Sequence, residues 1–246
     1  MSGGTEAELI KLKNEIDDVR NEYRNFVYTV SHDLSGPFRQ IEGFAQIVLV
    51  KHTDQFDDKT KRHLGLIVSG AEKGRHILDA LLDYSRLDTR AKAFSSVNCQ
   101  EVIDEVLEEL SALVDDKGAE ISCNDMPVLV GDRSQLYQVF YNLIHNGLHY
   151  QHSDVSPKLS IEAIENEINW QFCIEDNGIG VLDHLREKIF IILRRAVTDK
   201  EYSGMGMGLA VARQIVHRHC GRIWIVSEKN VGSSLYFTIA KDLESN

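Results

Sequence analysis

Ser31-His32-Asp33-Leu34-Ser35-Gly36-Pro37-Phe38 lies inside a long helical pattern, yet it contains two residues that helices avoid. Pro37 has no N–H and its ring crowds the carbonyl of Asp33, which costs roughly 3 kcal/mol in a helix interior. Gly36 costs about 1 kcal/mol more relative to alanine. We therefore expect a bend one turn after His32. An imidazole away from the apolar seam and beside a carboxylate is a candidate reactive group, although this octapeptide alone favours a surface histidine near a proline kink.

The apolar residues around this octapeptide follow a heptad pattern, which predicts one helix over residues 9–50. Its seam consists of Leu9, Leu12, Ile16, Val19, Tyr23, Phe26 and Val30. A polar turn at residues 52–58 leads into a second helical pattern that ends near residue 87. Because neither helix can bury so wide an apolar face alone, we expect an antiparallel hairpin that dimerises into a four-helix bundle. A plain coiled-coil spacer would explain all of this except Gly36-Pro37.

After residue 92 the pattern changes to a mixture of short strands and helices. Strands are predicted at residues 94–97, 119–123, 128–130, 159–164, 168–174, 222–226 and 234–239, and helices at 101–113, 133–150 and 209–219. This order predicts an α+β fold with helices on one face of a mostly antiparallel sheet. Residues 1–92 and 93–246 are therefore predicted to be two domains, of which the second is an α/β sandwich.

The composition narrows the class of protein without indicating an activity. The 246 residues carry a net charge of −11 and are 43% hydrophobic, as in soluble globular proteins. No basic block offsets the acidic charge, so nucleic acid is not expected as a partner. We expect no direct membrane insertion, because no apolar run is long enough for a span and no signal peptide opens the chain. These features predict a cytoplasmic protein.

Two motifs in the second half are consistent with nucleotide binding, although each alone has a plainer explanation. Asn142 and Asn146 lie one turn apart on one predicted helix face, where amide oxygens can bind Mg²⁺. As an isolated pair they favour ordinary polar surface residues. Asp176 follows a predicted strand, where a carboxylate can accept the exocyclic amine of adenine. Gly178 and Gly180 would let the base approach the backbone, whereas an Asp-Asn-Gly turn is the simple alternative.

A third motif, Gly204-Met205-Gly206-Met207-Gly208-Leu209, stands immediately before a predicted helix. Backbone N–H groups at a helix N-terminus bind anions, and glycines let phosphate approach them closely. The motif is weak alone, and it lacks the βαβ context of a dinucleotide fingerprint. The three motifs in this order, behind a hairpin that carries His32, are far more specific than any one of them.

With these motifs, residues 26–239 resemble the transmitter of a two-component sensor histidine kinase. The matching segments are Ser31-His32-Asp33-Leu34 with Pro37 for the phosphoacceptor box, residues 142–150 for the asparagine box, residues 176–180 and 204–208 for the two glycine boxes, and Ile189-Phe190 for the start of the phenylalanine box. Residues 82–86 and 219–224 are similar to kinases joined to phytochrome-like and other soluble sensors.

The resemblance implies a reaction and its residues. His32 would take the γ-phosphoryl group of ATP, and Asp33 would fix its tautomer and accept a proton. Asn146 would hold Mg²⁺, with Asn142 beside it. Residues from about 181 to 203 would form a mobile lid. The residues implied to bind nucleotide are Asn142, Asn146, His149, Tyr150, Asp176, Gly178, Gly180, Arg195, Gly204, Gly206, Gly208 and Leu209.

The resemblance also implies partners: a second copy of the chain bound through the hairpin, a response-regulator receiver domain that accepts the phosphoryl group on an aspartate, and an upstream sensor domain or protein. The sequence departs from the family at Ser35, Gly36, Gly147, His149 and Leu193, and at Met205 and Met207. These departures leave a catalytically weak phosphorelay or scaffold protein with a degenerate ATP domain as the alternative.

Two further interpretations of the motifs are less favoured. The chaperone, topoisomerase and mismatch-repair ATPases share the nucleotide fold, but they place a carboxylate where this chain has Asn142. Metal binding by His145, His149 and His152, or by residues 217–220, is the other possibility, although a helix end with polar residues is the better explanation of residues 217–220. The zinc-protease pattern is absent there, because no glutamate follows His145.

Overall fold

The computed structural model describes residues 3–87, 89, 91–196, 202 and 204–243. The chain divides into two compact units, Met1–Thr89 and Arg90–Asn246. Within the described ranges, no helix combines the length and the apolar character that crossing a membrane requires.

The first unit is a helical hairpin, as the sequence predicted. Helix α1 (Gly3–Lys51) runs without interruption through Pro37, a 3₁₀ turn follows at Thr53–Gln55, and helix α2 (Asp58–Ser85) returns. The side chain of Asp57 caps α2 by accepting the Thr60 N–H at 2.8 Å. Since the cap occupies one of the unpaired N–H groups of the first turn, it fixes where the second helix begins.

The two helices pack through a few aliphatic residues, one serine and one aromatic side chain. Val27 and Ser31 of α1 are buried in the hairpin, as are Ala71 and Leu78 of α2. A Cβ on Gly74 would lie 2.5 Å from the Phe38 ring, so this glycine makes room for the aromatic side chain. The predicted seam faces elsewhere. Its exposed members are Leu12, Ile16, Val19, Tyr23 and Phe26.

The second unit contains seven strands and four α-helices within the residues that the structure describes. Its strands are β1 (Ser95–Asn98), β2 (Glu120–Cys123), β3 (Val128–Gly131), β4 (Lys158–Glu165), β5 (Asn169–Asp176), β6 (Ile223–Glu228) and β7 (Gly232–Ala240). Its helices are α3 (Cys99–Glu109), α4 (Ser111–Lys117), α5 (Arg133–His149) and α6 (Gly208–Arg218), with 3₁₀ turns at Asp183–Leu185 and Lys188–Phe190.

Five strands form one sheet in the order β2-β4-β5-β7-β6, and β1 pairs separately with β3. Only the β2–β4 pairing in the large sheet is parallel, which confirms the predicted α+β class. The single helix predicted at residues 101–113 is wrong, because α3 and α4 are separated at Leu110. The Ser111 hydroxyl donates to the Glu108 carbonyl at 2.7 Å, competing with the helical ladder there.

The core of the second unit is built on three phenylalanine rings. Phe140 of α5 meets Phe172 of β5 and Phe237 of β7 edge-on, with ring centroids 5.4 and 5.6 Å away. Phe172 and Phe237 stack at 4.7 Å. Each such pair contributes about 0.5–1.5 kcal/mol beyond its buried area. The cluster holds α5 against the centre of the sheet, and α5 carries the asparagines of the candidate site.

Candidate functional site

The imidazole of His32 is presented to solvent on the hairpin. The side chains of His32 and Asp33 are 74% and 69% exposed, and His32 Nδ1 lies 3.1 Å from Asp33 Oδ1. A carboxylate can only accept, so Nδ1 carries the proton in this contact. The lone pair is then on Nε2, which leaves that nitrogen available as a nucleophile.

In the second unit, the end of α5 is closely fitted to the first glycine motif. A Cβ on Gly178 would lie 2.3 Å from the carbonyl oxygen of Tyr150, so no larger residue fits there. The Ile179 N–H donates to that same carbonyl at 3.1 Å. The Gly178 N–H donates to Asp176 Oδ1 at 2.8 Å. These contacts bring Tyr150, Asp176 and Gly178 together at the C-terminal end of the central strand β5.

Asp176 is a largely buried carboxyl group. Burial raises the pKa of Asp176 to about 6, although hydrogen bonds from the Gly178 and Ser233 N–H groups oppose the rise. The charge of Glu175 adds to it. A carboxyl group that is costly to ionise and has one oxygen held by Gly178 is suited to a ligand that donates a hydrogen bond to it.

Gly180 fixes the loop that follows. Its φ of +62° lies in the left-handed region, and a Cβ there would lie 2.0 Å from the carbonyl oxygen of Glu228. The Asn230 N–H donates to the Ile179 carbonyl at 2.8 Å. The first glycine motif is therefore anchored on the β6–β7 turn, and only glycine satisfies both its conformation and its spacing.

The second glycine motif brings the start of α6 to the asparagine helix. Gly206 has a φ of +71°, and its carbonyl accepts the Leu193 N–H at 3.0 Å. A Cβ on Gly208 would lie 3.0 Å from Asn142 Oδ1, so the amide of Asn142 lies against the first residue of α6. No side chain caps that helix at Met207. Its first N–H groups, together with the Asn142 oxygen, suit an anion accompanied by a hard cation.

An aromatic cluster flanks this region. The Tyr202 ring lies 5.4 Å from that of Tyr150 and 5.9 Å from that of His149. Its hydroxyl donates to the Gln151 carbonyl at 2.7 Å, and the Arg195 guanidinium donates to the Tyr202 carbonyl. Sequence reasoning missed Tyr202 and Gln151. The only signal was an aromatic residue two positions before Gly204.

The remaining predicted residues are distributed around these contacts. Asn146 is half-buried and its carbonyl caps α5 by accepting the Tyr150 N–H at 3.0 Å. Leu209 is half-buried in the first turn of α6, and Gly204 is exposed near the Tyr150 hydroxyl. Of the predicted lid, residues 197–201 and 203 lie outside the described residues. His32 and Asp33 belong to the first unit.

Histidine and carboxylate metal ligands do not cluster in the described part of the chain, where no group of three or more His, Cys, Asp or Glu side chains could hold a metal ion. Asn142 and Asn146 of α5 are a different kind of candidate, because they offer amide oxygens. Amide oxygens one turn apart suit Mg²⁺, which takes few protein ligands and completes its shell with phosphate oxygens and water.

Sequence reasoning also missed a buried polar cluster that joins α5 to α6. Asp132 caps α5 and is fully buried, and Arg218 Nη1 lies 3.4 Å from its Oδ2. Arg218 also donates to Gln135 at 2.8 Å and to the Lys92 carbonyl at 2.7 Å. His219 Nε2 accepts the Asp132 N–H at 3.0 Å, and burial lowers the pKa of His219. Contacts between residues this distant in sequence leave no local pattern.

Comparison with known proteins places the two units in known families. Residues 22–90 match the His Kinase A (phospho-acceptor) domain, and residues 131–243 match the family described as histidine kinase-, DNA gyrase B- and HSP90-like ATPase. The first unit is thus of a phosphoacceptor class and the second of an ATPase class. The chain belongs to the sensor histidine kinases, as the transmitter part of such a protein.

Individual relatives agree. The phytochrome-like protein Cph1 of Synechocystis sp. is 35% identical, over 94% of this chain and 31% of its own length. FilI, the methanogenesis regulatory histidine kinase of Methanothrix harundinacea, is 30% identical over 96% of this chain and 27% of its own length. The chain thus spans about a third of these relatives. Full-length ShkA in complex with AMPPNP has a similar fold, with a TM-score of 0.63 and 19% identity over 90% of this chain and 47% of its own.

Proposed function

We propose that this chain phosphorylates itself on His32 with ATP and passes the phosphoryl group to an aspartate of a response-regulator receiver domain. Family membership supports the reaction class. The observation that carries the residue assignment is the exposed imidazole of His32, whose Nδ1 is paired with the Asp33 carboxylate at 3.1 Å.

The proposed transfer balances as follows. Nε2 of His32 attacks the γ-phosphorus, a P–N bond forms, the P–O bond to the β-phosphate breaks and ADP leaves. The Nδ1 proton shifts toward Asp33 as positive charge develops on the ring. Phosphoryl transfer depends mostly on positioning and charge neutralisation, so few side chains are needed at the reacting atoms.

The nucleotide roles are assigned to the second unit. The Asp176 carboxylate would accept a hydrogen bond from the exocyclic amine of adenine. Gly178 would leave room for the base beside Tyr150. The glycine residues 204, 206 and 208, with the first turn of α6, would cradle the phosphates. Asn146 with Asn142 would hold Mg²⁺, which neutralises phosphate charge when bound. His149, Gly180, Arg195 and Leu209 would complete the walls of the pocket.

The proposed partners follow from the same family. A second copy would cover the exposed seam of α1, completing a four-helix bundle. Relatives named as phytochromes support a sensor domain or partner protein as the source of the input. We place the reaction in the cytoplasm because it consumes ATP. The alternative of a degenerate ATP domain finds no support in the described residues, since the two glycine motifs keep their close contacts.

The test is labelling with γ-³²P-ATP and Mg²⁺. Wild-type protein is expected to gain an acid-labile, base-stable label, and His32→Gln is expected to lose it while retaining nucleotide binding. His63→Gln is the matched control, because His63 is an exposed histidine on the same hairpin. Labelling that persists in His32→Gln would falsify the assignment of the nucleophile.

A further inference from the structure

Three side chains of the hairpin lie in a row that ends at the phosphoacceptor. The ring of Tyr28 stacks on the imidazole of His32, with centroids 6.2 Å apart and planes inclined by 24°. The guanidinium of Arg86 lies over the Tyr28 ring, with its Cζ 5.4 Å from the centroid of that ring. Arg86 is the C-cap residue of α2 and the other two are on α1, so this Arg86–Tyr28–His32 row links the end of one helix to the reactive group of the other.

The packing of α1 explains why the row forms. Val27 and Ser31, one turn apart, are buried in the hairpin and fix the rotation of α1 about its axis. Each following residue is turned by about 100°. Tyr28 and His32 therefore share one flank of α1, beside the packed face and within reach of the last turn of α2. Asp33 is turned by a further step, and its carboxylate lies 3.1 Å from Nδ1 of the imidazole.

We propose that Tyr28 and Arg86 are positioning residues that hold the His32 imidazole in the orientation from which Nε2 attacks phosphorus. This rests on the role of His32 proposed above. The Asp33 contact fixes which nitrogen carries the proton, but one hydrogen bond leaves an exposed side chain free to change rotamer. Tyr28 removes that second freedom by stacking, and Arg86 holds Tyr28 by a cation–π contact. Orientation of this kind is a substantial part of phosphoryl-transfer catalysis.

A purely structural role makes a different prediction. Aromatic pairs four residues apart stabilise helices, so Tyr28 could support α1 without affecting the reaction. Its removal would then change the unfolding of the hairpin and alter every reaction of His32 alike. Positioning instead affects only the reaction in which the donor is held by the protein. A small diffusible donor can approach the imidazole in whatever orientation the ring adopts.

The first experiment measures autophosphorylation by ATP in single variants of the full chain. Tyr28→Leu is expected to lower the rate constant about tenfold with the KM for ATP within about twofold of wild type, because only orientation is lost. Tyr28→Phe keeps the ring and should restore the rate. Arg86→Gln should lower it about threefold. The matched control is Arg62→Gln, which removes an exposed arginine from the other end of α2 and should keep the wild-type rate. An unchanged rate in Tyr28→Leu, or failure of Tyr28→Phe to restore it, would overturn the proposal.

The second experiment replaces ATP with phosphoramidate, which transfers its phosphoryl group to histidine with loss of ammonia. Modification at His32 is followed by mass spectrometry, with His32→Gln as the blank. Tyr28→Leu is expected to react with phosphoramidate within about twofold of wild type while its ATP reaction is slow. An equal loss with both donors would overturn positioning in favour of a structural role. A His32→Gln protein that still labels with ATP would instead refute the proposed function.

Discussion

The two units of this chain differ in how far they bury their phenylalanine side chains. Phe140 and Phe237 of the second unit are fully buried, whereas Phe26 and Phe44 of the hairpin are 65% and 68% exposed. The second unit therefore has a core of its own. The hairpin has an apolar face that its own two helices do not cover, which supports the proposal that a second copy covers it. The difference separates a part with a core of its own from a part that leaves a large apolar face exposed.

Replacing one phenylalanine of each unit with alanine tests this contrast most strongly. Phe140→Ala is expected to lower the free energy of unfolding of the second unit by about 3–5 kcal/mol, because it removes contacts and leaves a cavity. Phe44→Ala should leave that transition unchanged. Urea unfolding followed by tryptophan fluorescence separates the units, since Trp170 and Trp224 both lie in the second. A comparable loss in Phe44→Ala would contradict the contrast.

Asp176 is the polar exception in the well-packed unit. Its pKa is raised to about 6 in the folded state, so ionising it opposes folding as pH rises from about 4 to 6. Relative to wild type, Asp176→Asn is therefore expected to gain stability over that interval, up to about 3 kcal/mol, and to stay level above it. Urea unfolding at several pH values measures this. The same variant should bind ATP poorly.

The control for that experiment is Glu167→Gln, which removes an exposed carboxylate from the turn between β4 and β5. It should follow the wild-type pH dependence. A parallel pH dependence in Asp176→Asn and wild type would mean that burial of this carboxyl group has no energetic cost.

Dilution should affect the hairpin and spare the second unit. For a dimer that unfolds to monomers, a tenfold change in concentration shifts the apparent stability by about 1.4 kcal/mol. The helical transition seen by circular dichroism is therefore expected to move with protein concentration, whereas tryptophan fluorescence stays constant. If both transitions shift with protein concentration, or if neither shifts, the hairpin's stability does not depend on a partner in the expected way.

The smallest effect concerns strain that lies wholly within the second unit. Cys220 has a φ of +52°, a conformation that costs a residue with a Cβ about 1 kcal/mol or more. Cys220→Gly should therefore raise the free energy of unfolding of the second unit by about 1 kcal/mol, at any protein concentration. Cys220→Ala keeps the Cβ and should give no gain. A gain from alanine would point to a cause other than the backbone conformation.

Local patterns predicted most of the fold. The heptad seam predicted the long α1, and alternation in the strands with glycine-marked loops predicted the α+β class, which the structure confirms. The break at Leu110 was missed because the Ser111 hydroxyl acts within an otherwise regular amphipathic pattern. Lys92, placed in the first domain from the sequence, donates its N–H to Asp132 in the second unit at 2.7 Å.

The site was predicted less completely for a related reason. Motifs identify residues that are near each other in sequence, such as Asp176 and Gly178, whose contact spans two residues. Tyr28 and Arg86 meet only because the turn between α1 and α2 sets the register of the hairpin. Their pairing follows from the fold, so the sequence pattern alone could not indicate it. The assigned roles of the nucleotide-site residues stay predictions until the variants are measured.

Lys92 gives the second unit a mechanical property. Its N–H donates to the Asp132 carboxylate, and its carbonyl accepts from the Arg218 guanidinium. Both backbone polar groups of this one residue are therefore held by hydrogen bonds. A pull on the incoming chain would load the first turn of α5 and the last turn of α6 before it reached the sheet. Those two helices carry Asn142 and Gly208. Tension at this point would thus act first on the two helices that meet at Asn142 and Gly208.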